Sequence, residues 1–483
     1  MQRVFVSVLI CGSMIASASL VHADNVQDWN VTLNNAARKV VSKHNPGVPT
    51  RAMAMMNGSI YDVYQAIHRT HQPFKVDTHA PHASVDAAVA QAAYRVISEI
   101  YTEEQMTLDH VLATRLAVIP KSAAKTAGIS LGNQIAQQYI NAHQNDGWNL
   151  PDQYTPSDAP GHWSSDPLHP GQKGWGSDWG SVHPWAMPNP DHFDAVLNLP
   201  DITSQRYTDA YYEVKAYGSR VSDTRTADQT AIGLFWAYDR PGTGAPPVLF
   251  SENMIEIGNQ IGNSPEQNAR MFAMASVALA DAIIATWDVK YEADLWRPIT
   301  GIRRAAEDDN PDTIEDLEWA PLGSPGADPN GAADDFTPPF PAYTSGHATM
   351  GGAIYRALEL FYGTNDFSVA DAMIGVDAVT DEYALFSIEP GGGGTREYVR
   401  FTQDGALGPG LENSPEGENT MSRIYLGVHW RMDQEDGQAL GRAVSDYVAS
   451  RYFQPVPEPS TWALLLSGGT LLAASRRKWR GKS

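Results

Sequence analysis

Three stretches of this chain gather basic, hydroxyl and imidazole side chains at spacings that suit the capture of an oxyanion. The first runs from Trp287 through Lys290 to Arg297 and Pro298. The second runs from Phe340 to Thr344, Ser345, Gly346 and His347. The third is Ser422 and Arg423, followed by Gly427, His429 and Asp433. Lysine and arginine offset anionic charge, and the planar fork of Arg423 suits the oxygens of a tetrahedral anion. A histidine can move a proton or offer a lone pair near neutral pH, which suits His347 and His429. Asp433, four residues after His429, would orient that imidazole or cap local structure. Two other patterns carry no chemistry. Asp328 to Asp335 begins like a calcium loop, but Pro339 stands where the twelfth-position Glu belongs. Ser345 lacks the flanking Gly-x-Ser-x-Gly of a hydrolase elbow.

The elements that must hold these groups read as helices. Ala52, Met55, Met56, Ile60, Val63 and Ile67 recur at helical spacing, as do Val85, Ala88, Val89, Ala92, Val96 and Ile100 behind a capping Ser84. Further helices are expected over 126–142 and around Leu440, Val444 and Val448. Alternating strand patterns are scarce. Ser264, Pro265 and Glu266 open a long apolar helix. If it continues through 297, Lys290 and Arg297 share one face about 10 Å apart along the axis. The plainer reading is a surface pair of Lys290 with Asp294. Prolines before Ser345 and a helix-like run from Ala348 to Tyr362 put Ser345 and Gly346 at a helix N-terminus, where free N–H groups and the dipole favour an anion. The plainer reading there is a capping serine beside a satisfied core histidine. Arg423 and His429 point about 120° apart on an ideal helix, so they converge only near an element end or a bend. Residues 145–200, rich in Trp, Gly, Pro and His, read as a long irregular excursion, and no tight metal-ligand spacing recurs among its histidines. Residues 308–341 and 389–395 read as loops.

The chain has 483 residues, 42% of them apolar, and a net charge of −22 with His neutral. This excludes a mostly disordered protein and disfavours nucleic acid as a partner. Six of the 34 Lys and Arg lie in the two ends, so residues 24–459 set 28 bases against all 56 acids. Residues 1–23 read as a signal peptide, with Arg3 in front, an apolar stretch, and a cleavage site ending at Ala23. Cys11, the only cysteine, falls inside it, so a processed chain has neither disulfides nor thiolate sites. Near the other end stand Pro457-Glu458-Pro459, an apolar run and Arg476-Arg477-Lys478. The apolar run is shorter than the roughly 20 residues of a full span. This tail, 454–483, resembles the PEP-CTERM sorting signal. That resemblance implies processing by an exosortase and export in a Gram-negative bacterium, to the envelope or beyond, with a transient C-terminal membrane anchor.

Taken together, the three blocks read K-x6-RP, S-G-H and S-R-x5-H-x3-D. This closely resembles the superfamily of vanadium-dependent haloperoxidases and type-2 phosphatidic acid phosphatases, with local phrases of the chloroperoxidase-like branch over about 230–450. Thr344 departs from the proline usual before Ser-Gly-His. The resemblance implies vanadate as cofactor, hydrogen-bonded by Lys290, Arg297, Ser345, Gly346 and Arg423, with His429 as axial vanadium ligand and His347 as acid–base residue. It implies that Asp239 pairs with Arg423. It places Trp287 and Phe340 beside the site, Phe340 standing where the bromoperoxidase branch has a second histidine. The activity implied is oxidation of halide by hydrogen peroxide to hypohalous acid. In the phosphatase branch His429 would be the nucleophile and His347 the proton donor to the leaving group. A third reading is a non-catalytic exported matrix or envelope protein. The fold expected is all-α, with residues 24–453 forming one large helical body of two packed four-helix-bundle-like halves.

Overall fold

The computed structural model describes residues 24–43, 45–238, 243–323, 337–366, 383–387 and 394–456. The leader, the tail beyond 456, Asp239, the calcium-like stretch 328–335 and residues 389–393 lie outside them. The expected stripes fold as helices. In the first half these are α1 (Asn25–Lys39), α2 (Gly47–His68), α3 (Val85–Ile100), α4 (Gln105–Ala117) and α5 (Ala123–Ala142). Ser84 caps α3 through Ala87 N, as its position before the apolar stripe predicts. α2 is buried over nearly its whole length and packs on α3 and α5.

After the excursion come α6 (Gln205–Tyr217), α7 (Ala227–Phe235), α8 (Pro246–Ile261), α9 (Pro265–Ala293) and α10 (Pro298–Arg303). Ser264 caps α9 reciprocally with Gln267, and Pro265 fills its first position. α9 is apolar and long enough to cross a membrane, but its faces are covered by α2 on one side and by the second half on the other. A helix apolar all round is a core helix when protein surrounds it. The second half adds α11 (Gly346–Tyr362), the strands β1 (Tyr383–Ser387) and β2 (Gly394–Tyr398), α12 (Pro415–Tyr425) and α13 (Arg431–Arg451). α11 packs on α9, α12 and α13. The body is thus helical, two bundles sharing α9.

Two expectations need correction. The antiparallel hairpin β1–β2, with Leu385 opposite Arg396, places Gly394 and Thr395 in a strand where composition alone suggested loop. The long helix does not continue to Arg297. It stops at Ala293, because Asp294 adopts a left-handed conformation, and Arg297 becomes the residue before α10. Pro298 suits the first turn of a new helix, where no N–H is needed.

The 145–200 excursion is ordered cover. Its Trp163, Trp179 and Trp185 are buried. Asp281 of α9 accepts from the N–H groups of Trp185, Ala186 and Met187 at 2.6–2.8 Å. Trp175 N donates to Pro339 O and Gln172 to Thr337 O, both at 2.9 Å, fixing the cover to the stretch before α11.

Candidate active site

Four chain segments bring the expected residues together. Lys290 lies in the last turn of α9 and Arg297 just before α10. Ser345, Gly346 and His347 open α11. Arg423 ends α12, and His429 lies in the link to α13. Lys290 is 0% exposed, Arg297 and Arg423 1%. Such burial of cations is costly unless negative charge lies nearby.

Arg423 and His429 converge because both stand near element ends. Gly427, at φ 74°, turns the chain between them, a conformation other residues resist. Val428 N returns to Arg423 O at 3.1 Å. His429 Nδ1 lies 3.0 Å from Asp433 Oδ2, and Trp430 N donates to the same oxygen at 2.9 Å. Asp433 therefore does both things its spacing offered, orienting the imidazole and capping α13. Arg297 Nη1 approaches His429 Nε2 at 2.9 Å. A guanidinium only donates, so Nε2 carries the lone pair and Nδ1 the proton. Burial, then the charges of Arg297, Lys290 and Arg423, hold His429 well below the ordinary imidazole value. Burial pushes the Asp433 carboxyl up, opposed by the Trp430 N–H, Lys290 and Arg297.

His347 is also buried, and burial with Arg423 nearby holds it well below its ordinary value, against hydrogen bonds to the backbone of Trp236 and Ala237. Its Nε2 meets no partner among the described residues. Nε2 is therefore a ring nitrogen with the capacity to take a proton. Asn419 of α12 donates to His347 O at 2.7 Å.

Ser345 Oγ accepts from Ala348 N at 3.4 Å, a long cap that leaves the hydroxyl hydrogen to donate elsewhere. Ser345 N donates to Asp433 O at 2.9 Å. Gly346 and His347 supply the N–H groups that a helix start leaves unspent. Lys290 does not pair with Asp294. Its Nζ donates to the carbonyls of Pro341 and Ala342 at 3.0 and 3.1 Å and to that of Thr344. Burial and Arg297 lower its pKa, while Asp433 raises it. Asp294 instead receives Tyr154 Oη at 2.5 Å and meets His162 Nδ1 at 2.8 Å.

Phe340 half-covers the site. Its carbonyl accepts from Arg297 Nε at 2.8 Å, and its ring centroid lies 5.2 Å from Lys290 Nζ and 5.1 Å from the Trp287 ring. A narrow cleft of about 20 Å³ runs between Trp287, Phe340, Gly346, His347, Arg423 and His429. Pro338 lines it as well, and Met350, Pro246 and Pro46 complete it. Sequence reasoning missed these three. Met350 follows His347 by one helical turn and was within reach of that argument, whereas the prolines arrive from distant segments. The supporting Asn419 had no sequence signal.

Fold and site together define a helical-bundle protein with a buried cleft lined by imidazole, guanidinium and aromatic side chains. Residues 270–457 match the family model of the VCPO second helical-bundle domain, and residues 455–478 match the PEP-CTERM protein-sorting motif. Over 240 residues the chain is 34% identical to the vanadium chloroperoxidase of Curvularia inaequalis, covering 44% of this chain and 37% of that enzyme. It therefore spans little more than a third of the curated relative it matches. Among solved structures, a bacterial vanadium-dependent iodoperoxidase is similar at TM-score 0.68 and 18% identity, over 90% of this chain and 98% of that one. A holo-type bacterial vanadium-dependent chloroperoxidase gives TM-score 0.59 and 15% identity, over 88% and 92%. These last two speak for the fold. Residues 270–457 are thus similar to the second helical bundle of that family, and the segment after them is similar to the sorting motif.

Proposed function

We propose that this protein is a vanadate-dependent haloperoxidase that oxidises halide with hydrogen peroxide to hypohalous acid. The observation that carries this reading is the His429 imidazole. Asp433 holds its Nδ1 proton, so Nε2 presents a lone pair in a cleft shared with Arg423, His347 and the start of α11. These residues fit an oxyanion with a Lewis-acidic centre: a nitrogen ligand, buried cations, helix N–H groups and a proton acceptor.

In this reading Lys290, Arg297, Ser345, Gly346 and Arg423 would hold vanadate by its oxygens, and His429 would ligate the metal. Bound vanadate supplies Lewis-acid polarisation of peroxide without a change of oxidation state. Arg297 must leave His429 Nε2 for the site to load. Lys290 reaches an oxygen only by giving up a backbone carbonyl and otherwise acts through its charge. Ser345 donates its hydroxyl hydrogen while its oxygen keeps the cap. His347 Nε2 takes the proton that peroxide must lose. Trp287 and Phe340 keep water from the cleft, which strengthens every charge interaction inside it. Asp433 fixes the His429 tautomer. Asp239 as partner of Arg423 remains part of the proposal.

The same reading includes domains and export: a removable leader at 1–23, a catalytic body at 24–453, and a tail at 454–483 handled by an exosortase in a Gram-negative envelope. The test is bromide oxidation by the purified, vanadate-loaded protein with hydrogen peroxide and a dye trap, beside His429→Ala. Vanadate-dependent bromination lost in the variant is the expected result. Phosphomonoester hydrolysis inhibited by vanadate, without halogenation, would replace this reading by the phosphatase one. No activity and no vanadate binding would leave an exported scaffold.

A further inference from the structure

The stretch from Pro341 to Ser345 lies in neither helix nor strand, yet it decides where α11 begins and so where Ser345, Gly346 and His347 stand. Irregular buried backbone keeps its place only where other groups take up its hydrogen bonds. Lys290 does so at the carbonyls of Pro341, Ala342 and Thr344. The start of α13 holds the stretch at two further points. One is the bond from Ser345 N to Asp433 O at 2.9 Å. The other is made by side chains: Tyr343 Oη donates to Asp436 Oδ2 at 2.6 Å.

Asp436 follows Asp433 by about one helical turn, so both lie on the same side of α13. Its carboxylate is held from three directions. Arg206 of α6 donates to it twice, Nη2 to Oδ1 at 2.8 Å and Nη1 to Oδ2 at 3.1 Å. Asn198, at the end of the 145–200 cover, adds its N–H to Oδ2 at 3.3 Å, and its carbonyl takes Arg206 Nη1 at 3.0 Å. A two-pronged guanidinium fixes the direction of a carboxylate as well as balancing its charge. Tyr343 is fully buried and Asp436 nearly so. A phenol bonded to a charged acceptor in such surroundings resists exchange for water. Arg206, Tyr343 and Asp436 are not among the residues that line the cleft. They act on it only through what they hold.

We propose that Asp436, aimed by Arg206 and bonded to Tyr343, is a positioning residue that sets the start of α11 against His429. Tyr343 precedes Ser345 by two residues, and α13 carries the Asp433 that orients His429. The Arg206–Asp436–Tyr343 chain therefore fixes the N–H groups of Gly346 and His347 relative to the imidazole lone pair. An anion that needs both finds them already in place. Only the consequence for vanadate rests on the haloperoxidase reading.

Tyr343→Phe removes one hydroxyl and keeps the ring that fills the site. Hydrogen exchange of the full-length protein without vanadate, read by mass spectrometry, tests the placement directly. Peptides spanning 345–349, where Ser345 N, Ala348 N and Thr349 N are bonded in wild type, should exchange about threefold faster or more. Calorimetric titration should show vanadate affinity lower by about tenfold. Asp436→Ala should do the same, and the double variant should lose little beyond either single one, because both act through one bond. Glu435→Gln, which loosens Arg206 only on its exposed side, should change neither reading. A merely structural role would lower the melting temperature and leave local exchange and vanadate affinity at wild-type values. That result overturns the proposal, as do losses in the two variants that add in full. If wild type binds no vanadate, the haloperoxidase reading falls and exchange at 345–349 still decides. Faster exchange in Tyr343→Phe then upholds the positioning role, and unchanged exchange overturns it.

Discussion

His429 stands between a carboxylate and a guanidinium, and this pairing decides its chemistry before any ligand arrives. Removing the carboxylate frees the imidazole to turn and to change tautomer. For Asp433→Ala we expect vanadate affinity to fall by about 10- to 100-fold, the usual effect of losing the partner behind a metal-ligating histidine. Titration calorimetry would measure it, and unchanged affinity would remove Asp433 from the site. The two buried histidines also make stability depend on pH. Both are held below the ordinary imidazole value of about 6.5, His347 by burial and Arg423, His429 by burial and Arg297. Below that pH the unfolded chain takes up protons that the native chain refuses, so stability falls as pH drops and recovers as it rises. Each histidine contributes up to about 1.4 kcal/mol per pH unit in that window. Burial raises Asp62 and Asp281 to about 6, which acts in the opposite direction. The difference between the protein and a His347→Gln, His429→Gln double variant cancels that part. Urea midpoints at pH 7.5 and 5.5 should differ less in the variant, and an equal difference would refute the assignment.

At the scale of elements, the cleft depends on how closely α13 lies on α11. Gly437 and Gly441 permit the approach. A Cβ at Gly437 would come within 2.8 Å of Ser345 O, and one at Gly441 would collide with Thr349 O. Backbone oxygens in a helix cannot yield as a side-chain tip can. For Gly441→Ala we expect a loss of about 1–3 kcal/mol, as for other overpacked contacts, together with weaker vanadate binding, because α13 carries Asp433 and positions His429. Thermal melts and vanadate titration would check both. Destabilisation with undiminished vanadate affinity would show that the site tolerates a displaced α13. Both ends of α11 were legible in the sequence, since prolines and a capping serine mark its start and Gly363 its end. The end of α9 was not. Nothing around Asp294 announces a left-handed residue, and that conformation is held by the partners Tyr154 and His162 from the distant cover.

For the whole molecule, α9 is the shared wall of both bundles. With α2 on one face and α11 and α13 on others, neither half keeps its core if the other unfolds. Calorimetry should therefore show one cooperative transition for the body. Ile283→Ala, at a fully buried position of α9, should cost about 2–5 kcal/mol and shift that single transition as a unit. Two separable transitions, with one unmoved by the substitution, would show independent halves.

The sequence by itself determined the helical class, the stripes that become α2, α3, α9 and α13, and the basic, hydroxyl and imidazole side chains that the structure gathers near His429. Periodicity, caps and chemically distinctive side chains act over a few residues and can be read one segment at a time. Only the tertiary structure decided that Lys290 props the chain before Ser345, that Arg297 rests on His429, and that the Trp-rich excursion walls off the cleft. Those relations join residues 50 to more than 130 positions apart. They are set by the packing of helices whose local signals say which face is apolar, and nothing about which partner it will meet.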